Sequence, residues 1–354
     1  MNKYVKRYFI DAMSGMAQGL FASLLIGTII KTLGQQLLRI NVNPVFNFFV
    51  TAGNFATDAH VVGASMAVGI GYAMNVPVLV LFSLAAVGSA ANITGGAGGP
   101  LAVLVIAIIS AELGNLVSKK TKVDIIVTPL VTILPGLLLT VLTAKYIGMA
   151  ASSLGNLVVW ATTLRPFIMG IIVSLVIGIA LTLPISSAAI CAAFGLTGLA
   201  GGAAVAGCCA QMVGFAVMSY RENKVSGLLS QGLGTSMLQM PNIIKNPKIW
   251  IAPCLTSIIT GPLATCLFKL EMNGPAVSSG MGTCGMVGPI GVITGWFEPS
   301  AVAVSHGAAA ITPTFWDWFG LLMISIVLPA LLTWLFGLLF RKIEWIKEGD
   351  LALE

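Results

Sequence analysis

Two long stretches without a formal charge constrain this chain more than any other feature. No Asp, Glu, Lys or Arg occurs between Asp58 and Glu112, nor between Arg165 and Arg221. Each gap exceeds fifty residues, room for about two membrane spans of ~20 residues and their connection. Soluble domains carry roughly 25% charged residues. This 354-residue chain carries 8%, against 57% hydrophobic, and cannot cover a globular surface with polar groups. The expected fold is an all-α polytopic membrane protein with about ten transmembrane helices, some of them re-entrant or broken in the second half.

The net charge of +6 belongs to that picture. Basic residues gather at the ends of apolar segments: Lys3, Lys6 and Arg7; Lys119, Lys120 and Lys122; Arg341, Lys342 and Lys347. This is the pattern of cytoplasmic loops under the positive-inside rule, not of a nucleic-acid surface. No short apolar core with a small-residue cleavage site follows the first basic residues. The N-terminus is therefore expected to be retained, with both termini cytoplasmic. The six cysteines form no CxxC pair and lie in apolar or Gly-rich runs, so they read as small packing residues. No cofactor or metal site is expected.

Along the chain, residues 2–12 mix basic and aromatic side chains and predict an interfacial amphipathic helix. A first span near 14–34 follows. A polar interlude, "RINVNPVFNFFVTAGNFATDAH", leads to spans near 57–74 and 77–94. "ITGGAGGP" is too flexible for a helix interior and reads as a loop or a broken helix. Spans near 100–117 and 123–147 come next, and 148–165 is weakly amphipathic, suited to the interface. Further spans are read at 166–183, 195–218, 251–269 and 314–340. "MNGPAVSSGMGTCGMVGPIGVITGWFEPS" has seven glycines and three prolines and is no straight helix. Residues 185–250 admit more than one arrangement. If 166–183 runs inward and 195–218 outward, "YRENK" lands outside, against the charge rule; a re-entrant hairpin at "LPISSAAIC" restores agreement.

Broken helices at membrane depth are tolerated only where they are buried in protein or line a cavity, and in transporters they commonly build the substrate site. Residues 1–165 hold most of the regular spans and read as a scaffold half. Residues 166–340 hold the broken ones and read as the transport half, with 341–354 a charged tail.

Glu298 is the leading site candidate. An ionisable residue at membrane depth signals function by default, and Pro299 breaks the helix beside it. A carboxylate there accepts hydrogen bonds from the hydroxyls of a sugar or polyol. His306, two helical turns on, faces the same cavity if the segment is helical. Ser186 and Ser187 follow the break at Pro184, Gln211 sits in a small-residue span, and Thr235, Ser236, Gln239 and Asn242 surround Pro241. Their hydroxyls and amides suit a sugar, but equally bond helix to helix. Asp58 reads as a helix N-cap with His60 its interfacial neighbour. There is no GxSxG elbow, Walker A lysine or HExxH, so catalytic readings lack residues.

"LPISSAAIC", "GLTGLAGGAAVAGCCAQMVGFAVMSYREN", "QGLGTSMLQMPNIIKNP" and "SGMGTCGMVGP" resemble the PTS_EIIC_2 family, IIC-like membrane components of the bacterial phosphotransferase system that include the perfringolysin O regulator. The resemblance runs nearly the whole length. More distantly, "ITGWFEPS" is similar to the Thr-Glu-Pro element of glucose-superfamily IIC proteins. That likeness implies sugar binding at Glu298 with Thr294 beside it, two re-entrant hairpins, and homodimers formed through the N-terminal half. Gly295, Trp296 and Phe297 here separate Thr294 from Glu298. The histidine those proteins carry early in the transport domain has no counterpart between Arg165 and Arg221, where Gln211, or Asn242 further on, would have to serve.

The resemblance implies a sugar permease of the bacterial cytoplasmic membrane. No soluble segment is long enough for a IIA or IIB domain, so separate IIA and IIB proteins would phosphorylate the solute. A phosphorylation-independent carrier of a small organic or anionic solute, and a membrane sensor acting through a partner, are the alternatives.

Overall fold

The computed structural model describes residue 4 and residues 6–40 and 43–353. Lys3 and residues 2 and 5 of the expected interfacial helix lie outside the described residues. Contacts divide the chain into two compact units, residues 1–151 and 152–354.

The first unit is built from α1 (Lys6–Leu38), α2 (Pro44–Ala56), α3 (Ala59–Ala73), α4 (Val78–Gly95), α5 (Gly99–Val117) and most of α6 (Asp124–Thr162). α1 is unbroken, so residues 6–12 are its first turns rather than a separate interfacial helix. Its 33 residues span about 50 Å at 1.5 Å per residue, more than the ~30 Å hydrocarbon thickness. α2 folds back along its second half: Gly34 abuts Phe49 and Val50, and Gly53 abuts Lys31. This corrects the polar interlude read between spans. Asn43 caps α2 by accepting from the Val45 N–H at 3.0 Å, with Pro44 in the first turn, two start signals that outweigh the scattered polar residues.

α3 lies antiparallel to α1 with Gly15 against Gly69 and Gly19 against Ser65, backbone on backbone, the close approach that small residues allow in lipid. "ITGGAGGP" is the turn between α4 and α5. Gly96 there has φ +52°, and the two helices run antiparallel, Gly99 packing on Asn92 and Gly114 on Val80. Arg7 of α1 pairs with Glu112 of α5 at 2.9 Å. α6 continues through residues 148–162, which therefore do not form a separate interfacial segment; no breaker interrupts the hydrogen-bond ladder there.

The second unit holds α7 (Pro166–Thr182), α8 (Ser187–Ala193), α9 (Gly198–Met218), α10 (Tyr220–Leu229), α11 (Met240–Lys245), α12 (Pro247–Leu267), α13 (Val287–Phe297), α14 (Ala301–Ser305) and α15 (Phe315–Lys342). α9 is the axis. Seventeen of its residues are buried, nearly all of them small or apolar. α7 runs parallel to it, with Ser174 at Gly207 and Thr182 at Gln211. α12 runs antiparallel to α7: Gly261 meets Gly170, and the Ser174 hydroxyl donates to Ser257 O at 2.7 Å. α15 is parallel to α9, with Thr333 at Gly214 and Gly337 at Met218.

Because α7 and α9 are parallel, the chain between them must return. It turns at Pro184 and comes back through α8 to Thr197. Residues 273–297 make a second hairpin. Its tip lies against Cys208, Cys209 and Met212 of α9, and its base closes where Gly295 meets Asn273. The first return leaves α7 at the depth of Gln211 and finishes at the Gly198 end of α9, where the second hairpin both starts and finishes; the second turns back at the depth of Cys208–Met212. Ser187 donates to Gly280 O at 2.7 Å and joins them. Gly282, at φ +52° with Cys208 against it, leaves no room for a side chain.

This geometry settles the position of "YRENK". Arg341 reaches Glu222 through Nη2 at 2.8 and 3.1 Å, so the segment shares an end of the unit with the basic C-terminal tail.

Candidate functional site

The base of the second hairpin gathers polar groups around a helix break. α13 ends at Glu298, whose N–H donates to Thr294 O at 2.7 Å. Pro299 cannot donate. Ser300 then starts α14, its hydroxyl accepting from the Ala303 N–H at 3.3 Å. The Ser300 N–H donates to Asn273 O at 2.8 Å, and Gly295 lies against the Asn273–Gly274 backbone. Asn273 thus supports the Glu298 break from both flanks. It is only 7% exposed, and its Nδ2 donates to Glu271 Oε2 at 2.9 Å. Met272 exchanges both main-chain hydrogen bonds with Gly198, at 3.0 and 3.1 Å, which fixes this strip to the start of α9.

His306 closes α14, and its Nδ1 lies 3.2 Å from Thr197 Oγ1. Glu298 and His306 therefore share one end of the unit. The break at Pro299 rules out the continuous two-turn helix that would have put them on one helical face. Trp296 is buried beneath Glu298 and meets Trp318 edge-on at 4.8 Å. Thr197, Glu271, Asn273 and Trp318 escaped the sequence reading. "LEMNGP" carried a signal, an acid and an amide two residues apart before a turn, but nothing local ties it to a residue twenty-five positions on.

The remaining candidates lie elsewhere. Gln211 sits at hairpin depth, its Oε1 accepting from Trp250 Nε1 at 2.9 Å and Thr182 Oγ1 at 3.2 Å, while Thr182 contacts Ser236 Oγ at 2.8 Å. Ser186 caps α8 through Ala189 N–H, and Ser187 makes the bond between hairpins already described. Gln239 and Asn242 lie at the far end. Gln239 Nε2 donates to Gln231 Oε1 at 2.9 Å and to Leu351 O at 3.0 Å. Asn242 Nδ2 donates to Gln239 Oε1 at 2.9 Å and to Ala352 O at 2.8 Å. Asn223 adds bonds to Leu351 O and to the Leu353 N–H. These amides hold the C-terminal segment through its backbone. Thr235 accepts from the Met237 N–H.

The eight candidates thus occupy three depths: Glu298, His306 and Thr294 at the Gly198 end; Gln211, Ser186 and Ser187 at the hairpin tips; Gln239 and Asn242 at the Met218 end. In the first unit, Asp58 caps α3 as expected, accepting from the His60 N–H at 2.9 Å, while His60 Nδ1 lies 2.9 Å from Ser89 Oγ. Among the described residues no three His, Cys, Asp or Glu side chains converge where a metal ion would sit.

The sequence profile described as "Phosphotransferase system, EIIC" matches residues 10–353. The chain belongs to this family. No curated protein matches it. As an EIIC-type chain it is a multi-pass membrane component of a phosphotransferase system, a class that handles sugars together with IIA and IIB proteins. Glu298, Glu271 and His306 are all exposed.

Proposed function

We propose that this EIIC chain binds a sugar or related polyhydroxy solute at Glu298 and carries it across the membrane for phosphorylation by separate IIA and IIB proteins. The observation that carries the reading is the mounting of Glu298. A carboxylate at a helix break, held on both flanks by a buried asparagine, is a pre-positioned acceptor for sugar hydroxyls. Thr294 and His306 complete that end of the site.

The charge rule orients the unit. Arg221, Lys224, Lys245, Arg341, Lys342 and Lys347 share the Met218 end, which we take as cytoplasmic. Glu298 then faces the outside, where free sugar arrives. A cleft of about 740 Å³ at the cytoplasmic end, lined by Arg221, Glu222, Arg341, Glu344, Lys347 and Glu348, is the surface offered to the IIB protein. The hairpins, which turn back inside the unit, are the elements that must shift to pass the solute inward, and two copies assemble through the first unit.

The test is a thermal-shift series on the detergent-purified protein with sugars, polyols and small organic anions, beside Glu298→Gln. A ligand that binds only the native state raises its stability. A sugar-dependent rise that Glu298→Gln abolishes is the expected result. A rise with anions alone, retained in Glu298→Gln, removes Glu298 from the site and replaces the sugar reading with the anion carrier.

A further inference from the structure

We infer that residues 345–353 are a displaceable lid on the Met218 end of the second unit, closing a buried polar row that runs from Asn242 to the depth of the hairpin tips. This role holds whatever binds at Glu298.

α15 ends at Lys342, and Glu344, at φ +58°, turns the chain back toward α10 and α11. The segment that follows is held mostly through its own backbone. Asn223 grips it twice, donating to Leu351 O at 2.7 Å and accepting from the Leu353 N–H at 2.8 Å. Gln239 also donates to Leu351 O, at 3.0 Å, Asn242 to Ala352 O at 2.8 Å, and Asn246 to Trp345 O at 2.9 Å. Ile346 and Leu351 are its fully buried apolar anchors. Bonds of this kind add little net stability each, because water offers both partners the same bonds. When the segment leaves, the amides are hydrated rather than stranded.

The contact is built to open in two respects. The cleft of about 740 Å³ undercuts the segment, with Lys347, Glu348 and Ala352 on its side and Arg221, Glu222 and Arg341 on the other. A core element would be packed there. Lys224, next to the clamp residue Asn223, stands at φ 52° and ψ −148° within α10. That backbone conformation is close to glycine-only, persists only where surrounding contacts impose it, and gathers at ligand clamps and switch regions.

What the lid covers is polar. Asn242, Gln239, Ser236, Thr182 and Gln211 are each at most 5% exposed. Asn242 and Gln239 touch the lid; Ser236 Oγ lies 2.8 Å from Thr182 Oγ1, which donates to Gln211 Oε1 at 3.2 Å. Gln239 also donates to Gln231, one residue before Gly232, whose carbonyl accepts from the Thr283 hydroxyl at the tip of the second hairpin. Apolar packing would hold a permanent seam at least as well, since burying amides carries a desolvation cost that their bonds only offset. A polar row suits a passage that takes in water when the lid lifts.

The experiment needs no solute, so its failure is separate from any failure at Glu298. In a Cys266→Ser background, Ser236→Cys is reacted with N-ethylmaleimide in the detergent-purified, full-length protein, and each thiol is followed by mass spectrometry. The unaltered lid is compared with Asn223→Ala and Leu351→Asp. Hydrogen exchange at 345–353 records release of the lid, and native Cys209, buried in the apolar core of the unit, records general loosening. Reaction of a transiently opened site follows the open population, and loss of a two-bond clamp should raise that population by about tenfold. The expected result is therefore labelling at position 236 about tenfold faster in both variants, with faster exchange of the lid and Cys209 unreactive. Should Ser236→Cys fail to fold, Thr235→Cys takes its place. Faster exchange with unchanged labelling makes the segment a brace and overturns the lid. Labelling of Cys209 that rises in step overturns it too. Native-like exchange in both variants overturns the displacement itself.

Discussion

Glu298 stands where it does because the residue after it cannot donate and the residue three before it has no side chain. Pro299 ends the helical ladder, and Gly295 lets the last turn of α13 settle on the Asn273 backbone. A methyl group at position 295 would meet Asn273 C and Gly274 N at 2.5 Å, and backbone atoms cannot swing aside as a side-chain tip would. Gly295→Ala is expected to cost about 1–3 kcal/mol, the usual range for overpacking. Its melting temperature should fall and the ligand response at Glu298 should weaken with it. Glu298→Gln, by contrast, should melt like the native protein. Equal melting temperatures for Gly295→Ala and native protein would show that the hairpin base gives way freely. At this scale the glutamate was legible, because charge is rare here and Pro299 marks the break. Its support was not, because Asn273 and Glu271 look like an ordinary loop until Ser300 is seen bonded to Asn273.

The elements show the same division. α2 was missed because its asparagines and threonine dilute a 13-residue apolar segment; only the fold-back onto α1 reveals a helix with a buried side. Gln239 and Asn242 read as sugar ligands because buried amides suit hydroxyls. In the fold Gln239 donates to Gln231 Oε1 and Leu351 O, and Asn242 to Gln239 Oε1 and Ala352 O. Asn242→Ala removes the donor to Ala352 O and to the buried Gln239 Oε1, the latter a loss of about 1–3 kcal/mol for a buried group. Hydrogen exchange and proteolysis at residues 345–353 should rise, while any sugar-induced stabilisation persists. A sugar response lost while the tail stays protected would return Asn242 to the binding site.

For the whole molecule, the testable statement is that residues 219–226 and the C-terminal tail emerge on one face, and the α14–α15 connection on the other. In a Cys266→Ser background, which removes the exposed native thiol, single cysteines at Ser226, Glu348 and Ser305 report this. A membrane-impermeant thiol reagent applied to sealed vesicles should label the first two from one side and the third from the opposite side. Labelling of Ser226 and Glu348 from opposite sides would dismantle the parallel arrangement of α9 and α15.

Composition by itself determined the solvent, the helical class and the broken second half. A nearly charge-free chain must satisfy its backbone internally, and glycine with proline must interrupt helices wherever they recur. Local pattern also located Glu298 and the N-cap at Asp58. Tertiary structure alone decided that α7 and α9 run parallel, that three groups of polar residues lie at three depths, and that Asn273 joins Glu271 to the Glu298 break. Each of these depends on contacts between residues far apart in the chain, set by how small residues let backbones meet, and periodicity carries no record of such distances.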